Sequence, residues 1–188
     1  MKIVNPHFEI LGQVDGQAIL QHIERCGRVC YKSEDKITET SAQTFVGNII
    51  KRGHEAVLEH ASVTVKFVVD RGVSHEIVRH RLAAYCQEST RYCNYSKDGF
   101  GGEITVIKPH YLEAGTRAFA CWRGACETAE SAYFSLLEWG GSPQEARAVL
   151  PNSLKTEVVM TANLREWRHF FTLRTAPAAH PQMREVAI

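Results

Sequence analysis

The chain has 188 residues, 44% of them hydrophobic and 23% charged, with a formal net charge of +1. That length suits one compact domain rather than two, the ordinary composition argues against disorder or a membrane span, and near-neutrality argues against a basic polyanion-binding surface. Residues 1–6 hold no apolar signal-like stretch, so the cytoplasm is the expected compartment, and the six cysteines, none in a C-x-x-C pair, are expected as reduced thiols.

Residues 8–12 read as a short strand, and Asp15 precedes a helix through Ile19, Leu20, Ile23 and Cys26. A second helix is predicted over 41–51, with Phe45, Ile49 and Ile50 on its apolar side and Gly53 as its stop. Over residues 61–70, Val63, Val65, Phe67 and Val69 alternate with Ser62, Thr64, Lys66 and Val68, the clearest strand in the chain. Ser74 is the expected N-cap of a helix through Leu82, with Val78 and Leu82 on one stripe. Residues 85–100, polar, aromatic and ending in glycines, predict an irregular loop. A strand follows at 104–107, a long helix over 113–139, and a short helix over 143–150 that Pro151 closes. Residues 155–161 predict a strand, Asn163 opens a helix carrying Trp167, Phe170 and Phe171, and a last helix starts at Pro181. Strands separated by helices in irregular order predict a single α+β domain.

Charge is distributed unevenly. Between Arg71 and Lys97 stand four Arg, one Lys and two His against two Glu, and between Asn163 and Arg174 three Arg and one His against one Glu. Arginine gathered in short stretches of a near-neutral chain points to small anions held in pockets, because the planar guanidinium pairs bidentately with phosphate or carboxylate. Within the predicted helix, Arg79, His80 and Arg81 would be rotated by roughly 100° from one to the next, so at least one should face the interior. An unpaired guanidinium is costly there. Glu76 stands three residues before Arg79 and four before His80, close enough to pair with either along a helix.

Arg-His-Arg, seven residues and then Ser89 is the pattern of the flavin-dependent thymidylate synthases, and residues 79–92 (RHRLAAYCQESTRY) resemble that family throughout. His54-Glu55 with Glu59-His60, Glu145-Ala146-Arg147 with Leu150-Pro151, Asn163-Leu164-Arg165, and Leu173-Arg174 resemble further family segments. The resemblance implies a twisted, largely antiparallel sheet flanked by helices, in a homotetramer whose sites lie between subunits. It also accounts for the lack of a G-x-G-x-x-G after any predicted strand.

By resemblance, FAD would be held by Ala56, Arg79, His80, Arg81, Gln87, Asn163, Leu164 (through its backbone), Arg165 and His169. The substrate dUMP would be held by Glu76, Arg79, Gln87, Glu88, Ser89, Thr90, Arg91, Arg147 and Arg174. Arg174 is the expected catalytic residue, aimed at the uracil carbonyl and N3 to stabilise charge as C5 becomes nucleophilic. The co-substrates implied are 5,10-methylenetetrahydrofolate and NADPH, with FAD carrying the hydride. Ala84, Cys86, Gln87, Glu76 and Ala56 depart from residues seen in many or some members, and no role is carried to His180.

Other readings weigh less. Ser89 lacks a Ser-His-Asp setting for a nucleophile, and Cys86 lacks an identified base. His54 and His60 are six apart, about 240° around a helix, unlike an H-E-x-x-H metal motif, so no metal is expected. The rival classes are a metal-dependent hydrolase using His54, His60 and His80, and a single-strand nucleic-acid module using Tyr85, Tyr92 and Tyr95 among the arginines.

Overall fold

The computed structural model describes the backbone of residues 1–188 and every side chain except that of Asp98. Two strands open the chain, β1 (Lys2–Val4) and β2 (His7–Leu11); the other four are β3 (Ser62–Asp70), β4 (Ala83–Gln87), β5 (Thr105–Ile107) and β6 (Lys155–Asn163). The main sheet runs β2-β3-β6-β4, every pairing antiparallel, and β1 pairs with β5 in a separate parallel ribbon. Strand alternation sorts the faces of the main sheet. Val65 lies opposite Met160 and Phe67 opposite Val158 on the core face, while Thr64 and Thr161 share a 2.9 Å hydroxyl contact on the other.

The helices are α1 (Gly16–Val29), α2 (Ser41–Lys51), α3 (Arg71–Ile77), α4 (Arg117–Glu138), α5 (Pro143–Ala146), α6 (Leu164–Arg174) and α7 (Pro181–Ala187). The largest core lies where Ile77 of α3, Trp167 and Phe170 of α6 and Met183 of α7 meet the sheet. A second core joins α4 to the small ribbon through Tyr133, Cys126, Ile104 and Val106. A third holds α1 and α2 against a 3-10 helix over Glu55–His60, through Ile23, Val46 and Leu58. The single-domain α+β expectation therefore holds, with a main sheet that is wholly antiparallel.

Several local expectations are corrected. The predicted helix from Ser74 through Leu82 is instead the short α3, capped by Asp70, whose Oδ1 accepts from the Val73 N–H at 2.8 Å. Ser74 is buried within it, its hydroxyl donating to the Arg71 carbonyl at 2.9 Å. The helix ends early because the chain must turn back to pair β4 with β6. The Tyr85 hydroxyl lies 2.6 Å from the His80 carbonyl and 2.9 Å from that of Ile77, so its one proton ties β4 to the turn after α3. The predicted loop at 85–100 thus begins as a strand. Strand β1 was not foreseen, because three residues are too few to display a period. Helix α4 starts at Arg117 rather than 113, where the Thr116 hydroxyl caps the Phe119 N–H at 3.2 Å.

Candidate active site

Helices α3 and α6 bring one part of the arginine-rich sequence together. Arg174, in the last turn of α6, donates from Nε to His80 Nε2 (3.0 Å), from Nη1 to Glu76 Oε2 (2.8 Å) and from Nη2 to the Glu76 carbonyl (2.8 Å). Glu76 therefore pairs across to α6 rather than along its own helix, because α3 stops before Arg79 and His80 can stack on it. Three of the five guanidinium N–H groups are used in this way, and two stay available to a ligand.

His80 turns inward and is 3% exposed, while Arg79 and Arg81 on either side point to solvent. One of the three does face the interior, as expected, but the cause is a turn after α3 and not rotation around a helix. His80 Nδ1 lies 2.8 Å from Glu166 Oε1, and the Glu166 N–H is capped in turn by Asn163 Oδ1 at 2.9 Å. Burial holds the His80 pKa below its ordinary value of 6.5; Glu166 opposes that shift and Arg174 reinforces it. The neutral imidazole fits both contacts. Burial likewise pushes the Tyr85 phenol up to about 12, keeping it a donor.

One ligand atom from each of His80, Glu166 and His169 lies within 4.8 Å of the other two, a grouping that could hold a cation. Both nitrogens of His80 already have protein partners, so an ion would have to displace Glu166 or Arg174. His54 and His60 lie exposed, His54 before the 3-10 helix and His60 at its end, with no ligand partner among the described residues. Of the three tyrosines in the nucleic-acid reading, Tyr85 is part-buried with its hydroxyl turned inward and Tyr95 is buried. Tyr92 alone of the three offers a ring to solvent, at 78% exposure. Neither rival class finds its constellation assembled.

A pocket of about 520 Å³ beside this network is lined by Asn163, Arg165, Glu166, Arg168 and His169 of β6 and α6, with Glu55, Glu59 and Leu82 opposite. Arg165 pairs with Glu59 (2.6 Å) and Arg168 with Glu55 (3.2 Å), both at the exposed rim. Exposed pairs of this kind contribute little, about 0–1 kcal/mol, so an incoming diphosphate can exchange for the carboxylates at small cost. The donor set of guanidinium, imidazole and amide fits a dinucleotide's phosphates and heteroaromatic edges. Ala56 is exposed close by on the 3-10 helix. Leu164 spends its N–H on the Ala61 carbonyl at 2.9 Å and packs its side chain into two cores, so its present part is structural.

A second cluster lies on another face of α3. Arg71 and His75, one turn apart, share a pocket of about 240 Å³ with Thr90, Arg147, Asn152 and Leu154. Arg147 Nη1 reaches Thr90 Oγ1 at 3.4 Å, and Arg71 Nη1 makes long contacts to the Glu88 carbonyl and Thr156 Oγ1 at 3.4 and 3.5 Å. Gln87 bridges toward this region, its amide nitrogen donating to Ser74 Oγ (3.0 Å) and Thr156 Oγ1 (3.3 Å). The Glu88 carboxylate accepts from the Tyr95 hydroxyl at 3.1 Å. Its other oxygen stands 3.1 Å from Lys155 Nζ as a charge contact without hydrogen-bond alignment. The Ser89 hydroxyl accepts from the Arg91 N–H at 3.3 Å, and the Arg91 side chain lies out over Tyr92 with a 3.4 Å contact to Gln144.

One chain therefore builds two anion-seeking clusters on either side of α3, one around Arg174 and one around Arg147, with Arg79 and Arg81 facing outward. Arg71, His75 and Glu166 are components that the sequence reading left unassigned. The four-residue spacing of Arg71 and His75 was a usable signal; Glu166 carried none, because its partner lies 86 positions away.

Fold and site together gather arginine and histidine side chains around two pockets, a donor set suited to small anionic ligands. The sequence matches the model of the family described as thymidylate synthase complementing protein over residues 16–188. It is 34% identical over 185 residues to a flavin-dependent thymidylate synthase of Geobacter sulfurreducens, covering 91% of this chain and 78% of that protein. It is 35% identical over 201 residues to one of Mycolicibacterium gilvum, covering 97% and 77%. In fold it resembles a UMP/dUMP methylase of Streptomyces cacaoi solved with 5-Br dUMP, at TM-score 0.79 and 23% identity over 100% of this chain and 89% of that one. The chain belongs to the flavin-dependent thymidylate synthase family.

Proposed function

We propose that this chain reductively methylates dUMP to dTMP, taking the carbon from 5,10-methylenetetrahydrofolate, with FAD as the bound redox group and NADPH as its reductant. The observation that carries the proposal is Arg174: a guanidinium fixed by three hydrogen bonds with two N–H groups to spare, in a member of this family. FAD, when bound, supplies the hydride that no side chain can supply. Asn163, Arg165 and His169, which line one pocket, would hold it together with Ala56, Arg79, His80, Arg81 and Gln87, whereas the Leu164 backbone N–H is already taken by the Ala61 carbonyl.

The uracil ring of dUMP would lie against Arg174, whose spare N–H groups would stabilise negative charge on the ring carbonyl as C5 becomes nucleophilic. Its phosphate would sit among Ser89, Thr90, Arg91 and Arg147, a set of hydroxyl and guanidinium donors suited to a dianion. Glu76, Arg79, Gln87 and Glu88 complete the expected nucleotide site, and Gln87 still has its carbonyl oxygen to offer a uracil N–H.

A site shared between subunits of a homotetramer is part of the proposal. It is supported by the outward-facing Arg79 and Arg81 and by an uncovered apolar groove of about 380 Å³ that includes Phe8, Ile10, Phe171 and Ile188. Among the described residues no helix is long and apolar enough to cross a membrane, in keeping with action on a dissolved nucleotide. The test is anaerobic incubation of the flavin-loaded protein with dUMP, methylenetetrahydrofolate and NADPH. Formation of dTMP is expected, and its absence with intact flavin would overturn the assignment.

A further inference from the structure

We infer that Glu166 is a positioning residue: its buried carboxylate fixes His80 in the Nδ1–H tautomer, so that the bare Nε2 can accept from Arg174 and hold that guanidinium toward the nucleotide. The inference rests on the assignment of Arg174 made above. An ionised carboxylate can only accept hydrogen bonds, and a guanidinium can only donate. With Glu166 Oε1 2.8 Å from Nδ1 and Arg174 Nε 3.0 Å from Nε2, one proton position, on Nδ1, satisfies both contacts. Glu166 and His80 are 6% and 3% exposed, so water does not compete for either nitrogen.

The chain continues outward at both ends. Asn163 holds the backbone of Glu166 from one side, and Glu76 grips the far edge of Arg174 from the other. Without the carboxylate, neutral imidazole could carry its proton on Nε2, setting an N–H against the Arg174 N–H. Protonating His80 has the same consequence at acid pH. The groups facing His80 are Glu166, His169 and Arg174 from α6, Glu76 from α3 through Arg174, and the Tyr85 hydroxyl from β4 at its carbonyl. Of these, Glu166 favours the protonated imidazole and Arg174 and His169 oppose it. Removing the carboxylate should therefore lower kcat by releasing the tautomer, yet move the acid limb of kcat to lower pH. General damage to the fold would not produce that pairing.

The experiment compares the flavin-loaded protein with Glu166→Leu and Glu166→Gln. Long-range ¹H–¹⁵N spectra of ¹⁵N-histidine protein, assigned with His80→Gln, report the tautomer without any turnover. The native protein should show Nδ1–H alone, and Glu166→Leu a substantial share of Nε2–H. The same variant should lose roughly ten- to hundredfold in kcat, the size of one charge-assisted hydrogen bond, with a smaller change in KM for dUMP. Glu166→Gln, which keeps an acceptor oxygen but no charge, should recover most of kcat while its acid limb still moves down. An Nε2–H tautomer in the native protein would overturn the inference, as would unchanged kcat in Glu166→Leu. Should Glu166→Leu not fold, an unmoved acid limb in Glu166→Gln decides against it. Native protein that shows the expected tautomer but does not turn over dUMP would fault the functional assignment and leave the hydrogen-bond chain standing.

Discussion

Arg174 is held by partners from α3 and the turn that follows it, and those partners decide what its guanidinium can do. His80 and Glu76 take three of its N–H groups, so it is a preorganised donor rather than a mobile surface charge. Arg174→Ala is expected to keep flavin absorbance and lose dTMP formation by at least roughly a hundredfold, the scale of one lost transition-state donor. Single-turnover product analysis checks it, and wild-type turnover in the variant would remove Arg174 from catalysis. The histidine beside it gives a pH signature. Its folded pKa lies below the 6.5 of the unfolded chain, so the unfolded state binds more protons between those two values. Stability from this group is complete above pH 6.5, declines as pH falls beneath it, and levels off below the folded pKa. Urea midpoints across that window should show the slope in native protein and a shallower one in His80→Gln.

At the scale of elements, Asn163 serves two purposes that can be separated. Its Oδ1 caps α6 through the Glu166 N–H, while its amide nitrogen makes no hydrogen bond among the described residues and the residue lines the pocket. Asn163→Asp keeps the capping oxygen and loses the donor, so flavin affinity should fall with the thermal midpoint nearly unchanged. Asn163→Ala should weaken both, with about 1 kcal/mol lost from the cap. Titration with FAD beside thermal melts distinguishes the two. Helices α1 and α2 allow a sharper packing test. A Cβ at Gly27 would stand 2.7 Å from the Phe45 ring, whereas one at Gly47 meets nothing within 4 Å. Gly27→Ala should lower the melting temperature, because overpacking of about 1–3 kcal/mol exceeds the helix gain of about 1 kcal/mol. Gly47→Ala, with the same gain and no clash, should raise it.

For the whole molecule, the exposed groove along Phe8, Ile10 and Phe171 and the outward guanidinium groups of Arg79 and Arg81 have meaning together if another copy covers them. Sedimentation equilibrium should give about four times the mass of one chain. Phe8→Glu, which places a charge in the groove, should shift the protein to smaller species and reduce bound flavin in parallel. A monomer that retains full flavin occupancy would show that one chain suffices for the site.

The period-2 run of β3, the helix stripe of α1, the α+β order and the Arg-His-Arg pattern are all local properties, and they were legible because alternation, capping and residue type act over a few positions. The ends of α3 and α4 were misplaced for a physical reason. Asp70 and Thr116 outcompete neighbouring caps only through particular side-chain bonds, and β4 takes its form from pairing with β6 rather than from its own propensity. By itself the sequence determined which residues carry charge and which segments could become strands or helices. Only the tertiary structure decided that Glu76 serves Arg174, that His80 and not Arg79 turns inward, and that Glu166 closes the chain, because bonds between residues about 90 positions apart depend on how the sheet brings α3 and α6 side by side.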